Sequence, residues 1–260
     1  MEQQAYREQF ELEGTHWWFS GRRAVIWALL RRAQTPQGVR MLDAGCGTGH
    51  NLIEYGRLGS ATGVDFSADA IAFCRQRGLQ GATQGRLEAL EFPDGAFDLI
   101  LATDVLEHLD DDLAAMRELR RVAAPGARLL VTVPAYQWLW SQHDTAHHHF
   151  RRYTLPLLRE RLAATGWRTV VSTYFNSVLL PPIAAVRVIG RRNPDPAERP
   201  DLKLTPPLLN AVLERPMRAE ARLIERGGQL PAGVSIGLVA RADGAPAPAR
   251  TGHEHGLEDG

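Results

Sequence analysis

The chain has 260 residues, of which 44% are hydrophobic and 23% are charged, as in an ordinary globular protein. Thirty basic residues balance thirty acidic ones, so the chain as a whole offers no broad electrostatic attraction for nucleic acid. Only Cys46 and Cys74 are present, which argues against a disulfide framework and fits a reducing compartment.

The apolar segments of the chain bear on its location. The first ten residues are polar and lack the apolar stretch of a secretory signal. The longest nearly uncharged apolar run, residues 178–186, is far shorter than the ~20 residues that a membrane-spanning helix needs. We therefore expect a cytoplasmic protein.

Two helices are predicted before the main fold, at residues 2–13 and 17–33. Strands and helices then alternate, which is typical of a parallel sheet covered by helices on both faces. Ser67 and Thr154 are good N-caps for two of these helices, and Pro125-Gly126 should stop a third before the fifth strand. The predicted strands are 39–45, 61–66, 81–84, 97–104, 127–134, 169–175 and 235–242.

A glycine-rich loop, LDAGCGTG at residues 42–49, follows the first predicted strand. Its glycines permit positive φ and let a ligand approach the backbone where a side chain would clash. A strand, a glycine turn and a helix N-terminus form a place for a nucleotide-like ligand at the strand's carboxyl end. The second strand ends in Asp65, whose carboxylate can accept hydrogen bonds from both hydroxyls of a ribose.

Asp43 distinguishes between two cofactor classes. Nicotinamide-dinucleotide folds favour G-x-G-x-x-G, with a pyrophosphate at the helix N-terminus, whereas this loop has G-x-G-x-G. Asp43 comes two residues before the first glycine, where its charge would repel a pyrophosphate and attract the ammonium group of a methionine moiety. The charge therefore favours S-adenosylmethionine (SAM) over a dinucleotide.

LDAGCGTG, the downstream VDFS and FDLILATDVLEHL resemble the motifs of the class I SAM-dependent methyltransferases, especially the group that includes ubiquinone and menaquinone biosynthesis methyltransferases. The resemblance spans roughly residues 39–175. It implies an α/β, Rossmann-like fold with a mostly parallel seven-stranded sheet flanked by helices. An antiparallel last strand and an N-terminal helical extension are part of the same expectation.

The resemblance also implies where SAM binds. Its methionine part would lie near Asp43 and the loop, with the ribose on Asp65 and the adenine on Phe66. The family usually has an acidic acceptor for the adenine amino group where this chain has Arg86, so backbone atoms near Arg86 and Leu87, or Glu88, would have to accept that hydrogen bond. The expected cofactor contacts are Asp43, Gly45, Cys46, Gly47, Gly49, Asp65, Phe66, Arg86, Leu87, Thr103 and Asp104.

The expected organisation has three parts. A helical cover at residues 1–38 precedes a SAM-binding methyltransferase domain at 39–242, which contains a mainly helical insertion at about 176–230. Residues 243–260 have the composition of a disordered tail. Trp17 and Phe19, at the start of the second helix, are candidates for a lid that excludes water, or they simply pack that helix onto the sheet.

Methyl transfer requires an acceptor aligned within about 3–3.5 Å of the methyl group, and a base if the acceptor is a hydroxyl or an amine. His108 follows the fourth strand and is a candidate general base, because the unperturbed pKa of histidine lies near neutrality. The alternative is that Glu107 and His108 cap and pack a short helix.

A histidine-rich loop follows the fifth strand, with His143, Asp144, His147, His148 and His149. Adjacent histidines rarely converge on one ion, so no metal site is predicted there. The loop is interpreted as the acceptor side of the site, with His147, Arg152 and Tyr153 as candidate substrate contacts. Arg152 could pair bidentately with a phosphate or carboxylate of the acceptor, or form a salt bridge near a helix start.

Residues 177–192 combine apolar residues with a basic end. This segment could lie on the inner face of the membrane as a peripheral contact, or accept a lipid-like substrate. A buried helix and half of a dimer contact are the alternatives, and the oligomeric state is not predicted.

The predicted function is methyl transfer from SAM to a small-molecule acceptor, lipid-like or anionic. A nucleic-acid partner is not expected, because Thr-Asp-Val-Leu follows the fourth strand in place of an Asn- or Asp-Pro-Pro-aromatic motif or a cysteine nucleophile, and the chain carries no net charge. A SAM-binding regulatory protein without transferase activity is the main alternative. A nicotinamide oxidoreductase is disfavoured by Asp43.

Overall fold

The computed structural model describes residues 3–192 and 206–244. Within them, seven strands form one sheet in the order β3-β2-β1-β4-β5-β7-β6. The strands are β1 (Val39–Ala44), β2 (Gly59–Asp65), β3 (Ala82–Gln84), β4 (Phe97–Thr103), β5 (Ala123–Pro134), β6 (Trp167–Phe175) and β7 (Ser235–Ala242). β7 runs antiparallel to β5 and β6, and the other pairings are parallel, so the Rossmann-like prediction is confirmed.

Helices cover both faces of the sheet, and both predicted N-terminal helices are present. In the described part of the chain the helices are α1 (Gln3–Leu12), α2 (Trp17–Arg32), α3 (His50–Tyr55), α4 (Ala68–Gln76), α5 (Asp112–Val122), α6 (Gln142–Ala146), α7 (Leu155–Ala164), α8 (Leu180–Arg192) and α9 (Pro207–Glu225). The side chains of Ser67 and Thr154 accept hydrogen bonds at the starts of α4 and α7, as their residue types predict.

Successive strand residues feed two hydrophobic cores, one on each face of the sheet. Leu42 belongs to the core beneath α5 and α7, while its neighbour Met41 belongs to the core beneath α2 and α9. α2 contributes Val25, Ile26 and Leu29 to that second core. The predicted boundary at residue 38 therefore falls within one core, since α2 is part of the helical layer on the sheet.

Two predicted boundaries need correction. β5 begins at Ala123 rather than at residue 127, because Ala123 pairs with Phe97 and the strand passes Pro125-Gly126 through an irregularity in register with Gly126 at a φ of 78°. Arg120 donates to the carbonyl oxygens of Asp243 and Gly244 at 2.8 and 2.9 Å, so the first two residues of the predicted disordered tail are held in place. The rest of that tail lies outside the described residues, as does the 193–205 stretch of the predicted helical insertion.

The order of the strands fixes the position of the site. In the sheet, β2 and β3 lie on one side of β1, and β4 and β5 lie on the other side. The strand order therefore reverses between β1 and β4, and a crevice opens beyond the carboxyl ends of these two strands. The glycine-rich loop leaves β1 at this crevice, and Asp104 follows β4 there. No helix in the described ranges has both the length and the apolar character that crossing a bilayer requires.

Candidate active site

A cavity of about 680 Å³ lies at the carboxyl ends of β1, β2 and β4. The glycine-rich loop forms one side of it, and α1 with the start of α2 closes the top. The opposite side is formed by the histidine-rich loop and by residues Ile183 and Arg187 of α8. Elements from the whole length of the described chain therefore meet at this one space.

Two loop glycines line the cavity and have conformations that favour glycine. Gly45 and Gly47 have φ values of 79° and 51°, in the left-handed region. A Cβ at Gly45 would come within 2.5 Å of Val105, so the loop also needs glycine for close packing against the chain after β4. Gly49 (φ 86°) lies outside the cavity wall, and its missing Cβ leaves room for Leu79 and Cys74.

Asp65 is fixed against the glycine-rich loop at the end of β2. Its Oδ2 accepts from Gly47 N at 2.9 Å, and its Oδ1 accepts from Ser67 N at 3.0 Å and from the Tyr6 hydroxyl at 3.5 Å. Burial raises the pKa of this carboxyl, while the backbone donors oppose that change. The carboxylate is thus held at the cavity wall in a defined orientation.

Asp43, at the end of β1, is fully buried and lies behind the wall of the cavity. Neither of its carboxylate oxygens has a hydrogen-bond partner among the described residues. Burial raises its pKa to about 8; the nearby Asn51 amide and the charge of Arg22 oppose this change, and the charge of Asp65 adds to it. A buried carboxyl group without a donor is costly, which is typical of a group that acquires its partner from a ligand.

α1 lies over the glycine-rich loop and contributes a polar stripe to the cavity. Tyr6, Gln9 and Glu13 share one face of the helix and line the cavity. Glu13 is almost fully buried, accepts from the Thr48 hydroxyl, and forms an ion pair with Arg77 at 2.5 Å. The sequence analysis missed these residues, although their spacing of i, i+3 and i+7 in a polar helix was a signal that could have identified them.

The residues after β4 form the floor of the cavity. Thr103 accepts from the Asn51 amide at 2.9 Å, and Asp104 accepts from the Thr132 hydroxyl at 3.1 Å. Asp104 also forms a salt bridge with Arg22 of α2, and it adopts a φ of 52°, which is uncommon outside glycine. Arg22 lines the cavity and was not predicted, because nothing in the sequence of α2 shows that it faces the end of β4.

Three expected adenine contacts lie together at the outer end of the cavity. The Phe66 ring is 62% exposed, whereas Leu87 is buried beside it. Arg86 points outward and pairs with Glu88 at 3.2 Å. The exposed ring offers an apolar surface for a planar group, and Arg86 offers no acceptor through its side chain.

The aromatic residues at the start of α2 line the cavity, and two of them also cap or pack the helix. The His16 ring caps α2 by accepting from Trp18 N at 3.3 Å, and Trp18 stacks on Phe175 with ring centroids 6.1 Å apart. Trp17 and the buried Phe19 line the cavity, so these two predicted lid residues are brought to the site.

The histidine-rich wall faces the glycine-rich loop across the cavity and includes Glu107, His108, His147 and His149. Glu107 is buried, and its Oε2 has no hydrogen-bond partner in the described ranges. Burial, together with the neighbouring rings of His149 and His147, lowers the pKa of His108 to about 3. His108 is therefore a neutral imidazole beside a buried carboxyl group.

Two predicted acceptor contacts have structural partners. Arg152 reaches the cavity, but its guanidinium donates to Asp144 Oδ1 at 2.7 Å and to the Ala135 carbonyl at 3.0 Å, as the salt-bridge alternative predicted. The structure does not bring Tyr153 to the cavity. Its ring is fully buried in the core, where the hydroxyl donates to Asp112 at 2.7 Å, and Tyr153 itself pairs with Ala135 in a short parallel bridge.

Comparison with known proteins agrees with this geometry. A family model described as a methyltransferase domain matches residues 42–131. The chain is 30% identical to the malonyl-[acyl-carrier protein] O-methyltransferase of Serratia marcescens over 60% of its own length and 63% of that enzyme. It is 28% identical to the demethylmenaquinone methyltransferase of Anoxybacillus flavithermus over 53% and 62% of the two chains. Residues 42–131 therefore carry a methyltransferase domain, and these relatives support a SAM-dependent methyltransferase of class I.

This methyltransferase also shares its fold with a protein named for another reaction. The solved [4+2]-cyclase SpnF superposes with a TM-score of 0.55 at 23% identity, covering 86% of this chain and 81% of that one. The likeness shows the fold alone, since one fold can host several chemistries. The alignments with both curated relatives span less than two thirds of those enzymes.

SAM is the cofactor of this methyltransferase, and the residues present fit it. The unpaired, buried Asp43 carboxyl is an acceptor suited to an ammonium group, whereas a pyrophosphate would place negative charge near it. Asp65 offers carboxylate lone pairs at the cavity wall, where a diol can donate.

Proposed function

We propose that this protein transfers the methyl group of SAM to a small-molecule acceptor. The observation that carries the proposal is that one cavity contains both the glycine-rich loop with Asp65 and, across from it, a wall of aromatic and histidine side chains. Donor and acceptor would therefore meet within one enclosed space, which is the main requirement for an in-line transfer to an already activated carbon.

We assign the cofactor side as follows. The Asp43 carboxylate would hold the ammonium group, and the backbone of Gly45, Cys46 and Gly47 would surround the methionine part. Asp65 would accept from the ribose hydroxyls, and Phe66 and Leu87 would contact the adenine, with Arg86 at its edge. Thr103 and Asp104 would complete the floor. When bound, SAM supplies a methyl group on a positively charged sulfur.

The acceptor side would be the space between Trp17, Phe19 and the histidine-rich wall. Its aromatic and aliphatic lining, which includes Phe150 and Ile183, suits a lipid-like or aromatic acceptor. Because Asp144 engages Arg152, we no longer assign Arg152 to an acceptor anion. His147 remains the proposed polar contact on this side.

The general-base hypothesis for His108 is disfavoured by its surroundings. A base works best when its pKa lies near the working pH, and the His108 pKa of about 3 lies far below it. The neutral ring is better suited to binding an electrophile or a cation than to removing a proton. Transfer to an acceptor that arrives as an anion needs no protein base.

Two measurements test the proposal. Calorimetric titration with S-adenosylhomocysteine should show binding, and Asp65→Ala should weaken it about 10- to 100-fold by removing charge-assisted hydrogen bonds. Labelled SAM incubated with a panel of small hydroxylated, phenolic and thioester acceptors should then give a methylated product. Binding without transfer to any acceptor would favour a regulatory SAM-binding protein.

We also propose a peripheral membrane contact through residues 177–192. Val178 and Val186 are 58% and 63% exposed, beside the α8 residues that line the acceptor side of the cavity. A lipid-like acceptor could then enter from the membrane surface. Flotation should show co-migration with anionic liposomes and less with neutral ones; a protein that stays at the bottom of both gradients would exclude this contact.

A further inference from the structure

Three metal-ligating side chains converge on the acceptor side of the cavity. Glu107 and His108 lie in the short turn after β4, and His149 comes from the loop after α6. One ligand atom from each lies within 4.8 Å of the other two. The His108 and His149 rings are 4.6 Å apart at their centroids and nearly perpendicular, at 85°.

The two imidazoles are held from behind by oxygen acceptors. His149 Nδ1 lies 2.9 Å from Asp144 Oδ1, and Asp144 is fixed in turn by Ser141 N at 2.8 Å and by Arg152. The His108 ring hydrogen-bonds to the backbone of His147. Carboxylate or carbonyl partners of this kind orient histidine ligands in metal sites by fixing the tautomer and the ring angle.

The carboxylate of the cluster supplies an independent observation. Glu107 is 1% exposed, and its Oε2 has no hydrogen-bond partner in the described ranges of the chain. An unpaired carboxyl oxygen in such a place is costly unless a cation or a donor joins it. The charge of Arg152 acts on this carboxyl, but the guanidinium donates its hydrogen bonds to Asp144 and to the Ala135 carbonyl.

We propose that Glu107, His108 and His149 bind one divalent transition-metal ion, for which Zn²⁺ is the reference cation. Two imidazoles and one carboxylate are the three protein ligands of many open zinc sites, and the remaining position is left for water or substrate. With Nδ1 engaged by Asp144, Nε2 is the ligand nitrogen of His149. This metal site is a proposal separate from the proposed methyl transfer. Metal binding can be measured without any assay of methyl transfer.

The three ligand atoms need to move only a short distance toward one another to bind one metal ion. Zinc ligands lie about 2.0–2.2 Å from the metal, which places them roughly 3–3.5 Å from one another. Ligand atoms now within 4.8 Å would have to approach by about 1–1.5 Å, which rotation of the Glu107 carboxylate and slight turns of the two rings can supply. The open position then faces the cavity, where an oxygen donor of the acceptor could complete the coordination.

The test uses the full chain after dialysis against a chelator. One equivalent of Zn²⁺ per chain should rebind, measured by calorimetry and elemental analysis. Glu107→Gln, His108→Ala and His149→Ala should each lose at least about 100-fold in affinity, and Asp144→Asn about 10- to 100-fold. Co²⁺ should give visible d–d bands that these variants lose, which is a readout of ligation that mere packing would not change.

Matched controls separate this site from the other histidines. His148→Asn changes the exposed neighbour of His149 to a residue that tolerates its φ of 55°, and the double variant His253→Ala/His255→Ala removes two histidines of the predicted tail. Both should retain the full equivalent of Zn²⁺.

Circular dichroism and S-adenosylhomocysteine titration on every variant would show that it is folded. No rebinding by the wild type, or equal losses in the controls and the ligand variants, would overturn the metal site. Intact S-adenosylhomocysteine binding in that case would leave the proposed methyl transfer standing.

Discussion

Asp43 and Asp65 are buried carboxyls at opposite sides of the same loop, and their environments differ. Asp65 accepts from two backbone amides and from Tyr6, whereas Asp43 accepts from no group in the described ranges. The protein therefore bears an unfavourable buried acid at the point where a cationic ligand is proposed to bind. Sites of this kind commonly reduce stability while they serve binding.

Asp43→Asn should stabilise the ligand-free protein increasingly as pH rises. The folded protein holds the Asp43 proton up to a pKa of about 8, whereas the unfolded chain releases it near 3.8. The folded state therefore binds more protons between these values, and the stability of the wild type falls with pH there. The difference in Tm between variant and wild type should grow from pH 5 to pH 8 in calorimetric scans.

Asp98 provides a control of opposite sign. Its hydrogen bonds from Arg40 lower its pKa, so its contribution to stability is present above the unfolded pKa and is lost in acid. Asp98→Asn should cost a little at pH 7, within about 1 kcal/mol for an exposed pair, and progressively less as the pH falls below the unfolded pKa. A flat Tm difference for Asp43→Asn across pH 5–8 would contradict the assigned burial of its charge.

The affinity for S-adenosylhomocysteine should rise with pH. At pH 6 the Asp43 carboxyl is protonated, and an ammonium group favours its ionised form, so binding releases a proton. The Kd should fall by at most about tenfold per pH unit between pH 6 and pH 8. Titrations in buffers of different ionisation enthalpy measure the released proton, and Asp43→Asn should abolish both effects. Equal proton release by that variant would assign the titration to another group.

At the residue scale, the sequence identified what a local motif specifies. The glycines, Asp43 and Asp65 were predicted because strand ends and glycine turns leave short-range patterns. The meeting of Glu107 and His108 with His149 was not predicted, since it depends on how a loop after β5 folds back over β4. No spacing rule connects residues so far apart in the chain.

α1 covers the cofactor side of the cavity. It is held there by Glu13, which contacts Arg77 and Thr48, and we call this arrangement the clasp. Arg77 also lies over the Phe10 ring at 4.1 Å, so one side chain joins α4 to two residues of α1. Because the clasp covers the glycine-rich loop, a ligand seated there would be enclosed by the Tyr6, Gln9 and Glu13 stripe.

Arg77→Met should loosen the clasp by leaving Glu13 without its cation. We expect S-adenosylhomocysteine to dissociate about tenfold faster, as for the loss of one charge-assisted hydrogen bond. Stopped-flow displacement followed by tryptophan fluorescence would measure this rate. Arg75→Met, on the exposed face of the same helix, should leave it unchanged. Identical rates for the two variants would show that α1 does not enclose the ligand.

At the element scale, helix caps were predictable and some strand ends were not. Ser67 and Thr154 cap their helices because hydroxyl side chains satisfy the first backbone amides. The start of β5 was missed because Pro-Gly ordinarily ends a strand, whereas here Gly126 absorbs an irregularity and the pairing continues to Ala123. Tertiary pairing overrode a local signal.

Across the whole molecule, α2 and α9 join the first and last thirds of the chain on one face of the sheet. Gly21 of α2 faces Met217 of α9 so closely that a Cβ would lie 2.6 Å from the Met217 sulfur and 2.9 Å from its Cβ. Glu220 of α9 accepts from the backbone of Asn176 and Ser177 at 2.6 and 2.8 Å, which ties this helix to the end of β6.

Gly21→Ala should destabilise the protein by about 1–3 kcal/mol, despite the better helix propensity of alanine, because overpacking forces α2 and α9 apart. For a protein of this size that corresponds to a fall in Tm of about 2–10 °C in thermal melts. Gly14→Ala serves as the matched control, since nothing lies within 4 Å of its added Cβ. A Gly21→Ala protein as stable as the control would show that the contact has room to relax.

The overall architecture could be predicted from the alternation of strands and helices, because this regular order is visible along the whole sequence. The placement of α2 within the helical layer of the sheet could not be predicted in this way. The pattern of apolar residues in α2 fits either a separate cover or a helix packed on the sheet. The contacts of α2 with β6, β7 and α9 distinguish these two arrangements.

The clasp also bears on catalytic turnover. If spent cofactor leaves past α1 before a fresh molecule enters, each cycle includes one opening of that helix. If opening is slower than the chemical step, acceptors of very different reactivity will reach the same ceiling rate. The steady-state rate of this enzyme would then be set by the ion pair between Glu13 and Arg77 and not by the reactivity of the acceptor.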